Sequence, residues 1–347
     1  MKLWKKAILS AAIATMAIGC LTGCGGGDKK AEGPKGNPKE ITVYMGVVEK
    51  QAKVLADEFK KDTGIEVKFV RMSGGETLSR IRAEKQAPKA DAWYGGSADS
   101  YIVAANEGLL AAYKSPNAEK IPAKFKDKDG YWTGVYQGYL GFICDGRFFK
   151  EKNMKKPEKW DDLLDPKLKG QIIVSNPGSA STGYVLVSTL SQMWGDKKAM
   201  DYFAKLNKQV KQYTKAGAAP ARSAALGECA VGITYLHNGI RLIKEGYNNV
   251  ELSVPKDGTA YELGAVAVIK GGPNPEGAKK FVDWCLTKKT QELGQKNGSY
   301  QFLTNPEATP PQEALAFKDT KLIDYDFAWS GKNRTRLLEA WNNAVKQ

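Results

Sequence analysis

The hydrophobic pattern of this chain switches between two periods, that of a strand and that of a helix, and the switches mark its elements. Ile41, Val43 and Met45 alternate with Thr42 and Tyr44, a short strand that stops at Gly46. Ala52, Leu55, Ala56 and Phe59 then recur at helical spacing until Thr63-Gly64 ends the run. Residues 65–70 alternate again, 76–85 read as a helix and 90–94 as a third strand. Strands alternating with helices predict a mostly parallel sheet with helices on its faces. In such sheets ligands sit beyond the carboxyl ends of the strands, which points to the loops at 46–49, 73–77 and 95–97.

A second α/β unit starts after Tyr131-Trp132. Strands are predicted over 135–144, 171–175, 229–235 and 264–269, and helices over 160–164, 182–194, 197–206 and 276–286. Asn274-Pro275-Glu276 is the opening of the last of these. Helical patterns continue to the C-terminus, and no repeat of fixed period is present.

Composition adds a compartment. Of 347 residues, 42% are hydrophobic and 26% charged, the proportions of a globular chain rather than a disordered one. Lys2, Lys5 and Lys6 precede an apolar run over 7–18 that is too short to span a bilayer. The run closes on Leu21-Thr22-Gly23-Cys24 and opens onto Gly25-Gly26-Gly27. This resembles the lipobox of bacterial lipoproteins, with Ala17-Ile18-Gly19-Cys20 a weaker match. The resemblance implies a signal peptide over 1–23, lipid on the Cys24 thiol and a flexible tether over 24–39. The expectation is an exported protein, in the periplasm or anchored to the outer face of the cytoplasmic membrane.

Removing the three leader lysines lowers the formal charge of +14 to about +11. The remaining lysines are scattered among acids, as in 150–159 and 205–215, without a recognition motif, so no nucleic-acid partner is expected. A positive field of this kind favours anionic solutes. Cys144, Cys229 and Cys285 are an odd set in apolar surroundings without ligand-like spacing, which predicts buried thiols and no disulfide framework.

The order of several short segments carries a resemblance. Ile41-Thr42-Val43-Tyr44, Phe59 to Val70 and Ala90-Asp91-Ala92-Trp93-Tyr94-Gly95-Gly96 follow one another. Later come Trp160-Asp161-Asp162-Leu163, Pro166-Lys167-Leu168-Lys169-Gly170 and Pro273-Asn274-Pro275-Glu276-Gly277-Ala278-Lys279-Lys280-Phe281. Together, over roughly 40–310, they resemble the extracellular solute-binding proteins of ABC importers. The group in question contains ferric-ion-, phosphonate-, thiamine- and hexose-phosphate-binding members. The resemblance implies an α/β, two-lobed fold of the periplasmic-binding-protein type II class, with two β-strand crossovers and a ligand cleft between lobes. The crossovers fall near 132–139 and 259–266, which divides the chain into 40–133 plus 265–347 as lobe 1 and 134–264 as lobe 2. It further implies a monomer without a cofactor, partnered by a small solute and by ABC permease subunits.

Ferric-ion members hold their metal with adjacent tyrosines after a strand in lobe 2. Here that place falls near His237-Asn238, Tyr235 stands alone and no Tyr-Tyr dipeptide occurs, so no metal ligand is assigned. Iron nevertheless stays open as an alternative cargo. Two loops instead suit a small anionic organic solute, such as a sugar phosphate or phosphonate. Ser73, Gly74, Gly75 and Thr77 open one helix; Ser179, Ser181 and Thr182 open another. Taken alone the first loop reads as a capping box, with Glu76 folded back onto Ser73, and its place after a strand at the cleft leaves both roles open; the second is equally a solvated turn. Arg222 suits the anion or simply begins a surface helix; Glu262 suits hydroxyls or an ion pair. His237 and Asn238 suit neutral hydrogen bonds to a polyol or anion. Trp93 and Tyr94 belong either to the cleft or to the core. No nucleophile elbow, HExxH or Walker A pattern is present, so no catalytic residue is expected; a carboxylate enzyme and a sensory lipoprotein are the competing classes.

Overall fold

The computed structural model describes residues 39–346. The expected signal peptide, the Cys24 anchor and all but the last residue of the tether lie outside the described residues.

Eleven strands occur among the described residues. They are β1 (Glu40–Met45), β2 (Glu66–Arg71), β3 (Ala92–Ser97), β4 (Leu110–Ala111), β5 (Thr133–Asp145), β6 (Ile172–Ser175), β7 (Val210–Thr214), β8 (Val231–Tyr235), β9 (Val250–Ser253), β10 (Tyr261–Ile269) and β11 (Phe302–Leu303). The main path runs β2-β1-β3-β10-β5-β8-β6-β7. β1 pairs in parallel with β2 and β3, and β6 in parallel with β7 and β8, so each end of the path is a small parallel sheet. Between them β10 and β5 run antiparallel, Tyr261 opposite Tyr139 and Val266 opposite Thr133.

β5 is the long element that joins the halves. Its first part pairs with β10, while Leu140–Cys144 pair with β8. The hydrophobic clusters divide at the same place. One core holds Ile41, Val43, Phe59, Trp93, Val135, Leu263 and Phe281; another holds Leu140, Phe142, Trp160, Tyr184 and Ile233. A third, around Ile143, Ile173 and Ala221, covers the other face of the second sheet. The molecule is thus a two-lobed α/β protein crossed by two adjacent strands. The C-terminal helix Phe327–Val345 spans both halves: Leu337 and Trp341 enter the second core, while Gly331 lies against Asp99 and Ile102 of the first. Arg334 of the same helix is buried, 3.1 Å from the buried Asp99 carboxylate, with its guanidinium 4.2 Å from the Tyr184 ring centroid.

Local rules account for the element ends. The helix Glu49–Thr63 buries Ala52, Leu55, Ala56 and Phe59, and stops because Gly64 takes the left-handed conformation at φ 74° and donates to Lys60 O. The helix Pro275–Cys285 starts where Asn274 accepts from Gly277 N–H behind a proline. The predicted strand 90–94 is displaced to Ala92–Ser97, and the predicted helix 76–85 begins earlier, at Gly74. The segment 160–164 is only a 3-10 turn over Asp161–Leu164. Cys144, Cys229 and Cys285 are buried and unbridged, and burial pushes all three thiols up.

Candidate functional site

Five helices begin at one cavity between the lobes. Its wall includes Val48, Ser73-Gly74, Ala180 to Thr182, Ala218 and Tyr235, which stand at the first ends of helices 49–63, 74–83, 181–194, 219–226 and 236–244. Two of the helices come from the first half and three from the second. Each such end presents N–H groups with no partner inside its own helix. Four of the five have no side-chain cap, because Val48, Ala180, Ala218 and Tyr235 stand at the N-cap position. Val and Ala carry no acceptor there, and neither is a residue that favours a helix start. The cavity therefore gathers uncapped, positively polarised backbone ends, a setting that attracts negative charge.

The side chains between these ends are polar and mostly uncharged. Ser181 Oγ and His237 Nδ1 are enclosed and have no hydrogen-bond partner. Such groups cost free energy unless something enters to satisfy them. Enclosure lowers the His237 imidazole to about 3, with Arg241 adding to the effect, so the ring is neutral. Burial raises the Glu262 carboxyl to about 8, helped by the Asp99 charge, so at neutral pH it is mainly the protonated acid. Asn238 is buried, its amide donating to Thr234 Oγ1. Cationic groups stand at the wall: Arg71 donates from Nε to Val47 O, and Arg241 pairs with Glu245 at 3.0 Å.

Of the residues named from sequence, Ser73, Gly74, Ser181, Thr182, His237, Asn238 and Glu262 line this cavity. Gly75, Thr77, Ser179 and Arg222 are not part of its wall. The reasons are local. Gly75 faces the carbonyls of Gly178 and Ser179, and Thr77 is buried within its helix, donating to Ser73 O. Ser179 Oγ donates to Lys215 O, and Arg222 is exposed on the helix 219–226. The capping box also forms, with Glu76 Oε2 accepting from Ser73 N–H at 3.1 Å. Trp93 and Tyr94 are core residues; Trp93 stacks on Tyr101 at 3.8 Å.

Sequence reasoning missed Gln51, Arg71, Tyr136, Tyr235, Arg241, Ser299 and Gln301, all on the cavity wall. Arg71 was within reach, since it directly follows the predicted strand 65–70 beside a suspected loop. Among the described residues, no group of three or more His, Cys, Asp or Glu is placed to hold a metal ion, and no helix is long and apolar enough to cross a membrane.

A cleft between two α/β lobes, walled by helix starts and unpartnered polar atoms, defines a solute-binding protein. Residues 89–328 match the family of bacterial extracellular solute-binding proteins, and the chain belongs to that family, whose members serve ABC importers as periplasmic capture components. An uncharacterized protein of Haemophilus influenzae is 36% identical over 99% of both chains. A Salmonella typhimurium periplasmic protein named for binding 2-aminoethylphosphonate is 30% identical over 68% of each chain. Among solved structures, the periplasmic binding protein AfuA of Actinobacillus pleuropneumoniae, with fructose-6-phosphate bound, is 40% identical. It superposes with a TM-score of 0.86, covering 88% of this chain and 98% of AfuA.

Proposed function

We propose that this chain captures a small organic anion bearing a phosphate or phosphonate group, with a sugar phosphate the favoured class, and delivers it to a membrane permease. The observation that carries the reading is the convergence of uncapped helix starts from both lobes on one cavity. Phosphate oxygens accept from such N–H groups, and a ligand touching both lobes stabilises the closed form. The neutral set of His237, Asn238 and protonated Glu262 suits hydroxyl groups, which need both donors and acceptors. Arg71 adds a charge-assisted contact at the wall. The likeness to AfuA, solved with a sugar phosphate, supports the same class.

In this reading the lobes are 40–133 plus 265–347 and 134–264, hinged at β5 and β10, with the C-terminal helix packed across both. Cys24 carries lipid and holds the monomeric domain near its permease. The domain binds and releases its solute unchanged.

The test is to purify the protein natively, identify what co-purifies by mass spectrometry, and then titrate hexose phosphates, aminoalkylphosphonates, dicarboxylates and ferric ion by calorimetry. A sugar phosphate is expected to bind most tightly. Tight ferric binding with no response to phosphorylated solutes overturns the proposal and returns the ferric alternative. Metabolic labelling with palmitate tests the anchor, and Cys24→Ser is expected to abolish incorporation.

A further inference from the structure

The lobes also touch beyond the cavity wall, where the turn that begins at Ser73 runs on through Gly75 and Glu76. A Cβ placed on Gly75 would stand 2.6 Å from Gly178 O and 2.9 Å from Ser179 O, both backbone atoms of the opposite lobe. Neither carbonyl can swing aside as a side chain can, so only glycine allows this approach. Next to it, Glu76 Oε1 lies 2.9 Å from Lys215 Nζ, while Glu76 Oε2 is held by Ser73 N–H. The Lys215 carbonyl in turn accepts from Ser73 Oγ at 3.4 Å and from Ser179 Oγ at 3.1 Å. Lys215 follows β7 in the second lobe, whereas Ser73 caps and Glu76 belongs to the helix 74–83, whose Leu78 and Ile81 pack in the first core. Both ends of one lysine are therefore gripped across the cleft, one by charge and one through its backbone.

We propose that Gly75, Glu76 and Lys215 form a closure latch at the cleft rim that sets solute affinity without touching solute. Apparent affinity scales with the fraction of protein in the binding-competent state, so a contact that favours closure tightens binding from outside the cavity. The Glu76–Lys215 pair is exposed on the lysine side, and exposed pairs are weak and screened by salt. Its loss is therefore worth only a few-fold in affinity. A methyl group at Gly75 obstructs closure sterically and costs more. The affinity part rests on the solute-binding reading above; the closure part stands apart from it.

The experiment uses the full chain with Gly75→Ala and Lys215→Met. Small-angle scattering without solute reads closure, and calorimetry with fructose-6-phosphate reads affinity. Lys215→Met is expected to raise the radius of gyration and weaken binding about 3-fold, with the difference from wild type vanishing in 1 M salt. Gly75→Ala is expected to stay more open and to bind at least about 10-fold more weakly, with an unchanged melting temperature. Wild-type scattering and wild-type affinity in both variants overturn the latch. If the wild type ignores fructose-6-phosphate, the solute reading fails, and the scattering comparison still decides the latch.

Discussion

His237 and Glu262 meet over Gly138, one from a helix of the second lobe and the other from the neighbouring crossover strand. A Cβ at Gly138 would stand 2.7 Å from His237 Nδ1 and 3.0 Å from Glu262 Oε1. β10 supplies Glu262 directly opposite Gly138 on β5, and the helix 236–244 lowers His237 onto the same spot. The absence of a side chain at one strand position thus makes room for two cavity groups. Gly138→Ala is expected to displace both and to weaken solute binding at least about 10-fold by calorimetry, while circular dichroism shows the fold retained.

Glu262 gives a pH signature. Its carboxyl titrates near 8 in the folded protein, above the ordinary 4.5, so between those values the folded state binds more protons than the unfolded state. Stability contributed this way is present below 4.5 and is lost as pH rises to about 8. Glu262→Gln, which keeps the neutral shape, is expected to flatten that loss in chemical denaturation and to retain solute binding. Ionised Glu262 repels an anion, so wild-type affinity is expected to fall above pH 8 and that of the Gln variant much less.

His237 runs the other way. Its imidazole titrates near 3 instead of 6.5, so the unfolded state binds the extra proton between those values. Its contribution is complete above 6.5 and falls away as pH drops toward 3. His237→Asn is expected to remove part of the acid destabilisation, measured as the midpoint shift between pH 7 and pH 4.

Ser181 and Arg71 report on the anion. Ser181→Ala deletes an enclosed hydroxyl without a protein partner, so it is expected to leave the melting temperature within about 2 °C while weakening phosphate-ester binding about 10-fold. Arg71→Gln is expected to weaken binding by a similar factor and to reduce its salt dependence. Equal affinity for a neutral sugar in wild type and in Arg71→Gln is the control.

Arg334 and Asp99 make a stability prediction. Both are buried, and removing one leaves the other charge unpaired. Arg334→Met is expected to lower unfolding free energy by about 3–5 kcal/mol in urea titration, and the double variant with Asp99→Asn to recover part of it.

Much of the layout was legible because periodic burial and end signals are local. Phe59 and Leu55 mark a helix face, Gly64 stops it, and Asn274-Pro275 opens another. The short edge β7, with exposed Lys211 and Gln212, has no comparable alternation. The site was only partly legible, and capping explains why. Ser73 and Glu76 advertise a helix start, which drew attention to Gly75 and Thr77 although they face elsewhere. Ala218 and Tyr235 advertise nothing, because an uncapped end is a missing signal rather than a present one, whereas Val48 was reached only through the strand-end rule that pointed to 46–49. Tyr136 and Gln301 reach the cavity from segments far apart in sequence, and only the crossed sheet brings them together.

The pairing of β5 with β10 carries one more consequence. Because the two crossings are hydrogen-bonded neighbours rather than separate strings, the lobes are joined by a ribbon. A ribbon bends easily about one axis and resists shear and splaying in its own plane. With the C-terminal helix packed across both halves as well, the lobes are fastened along an edge rather than at a point, and a hinge about that edge is the motion left to them.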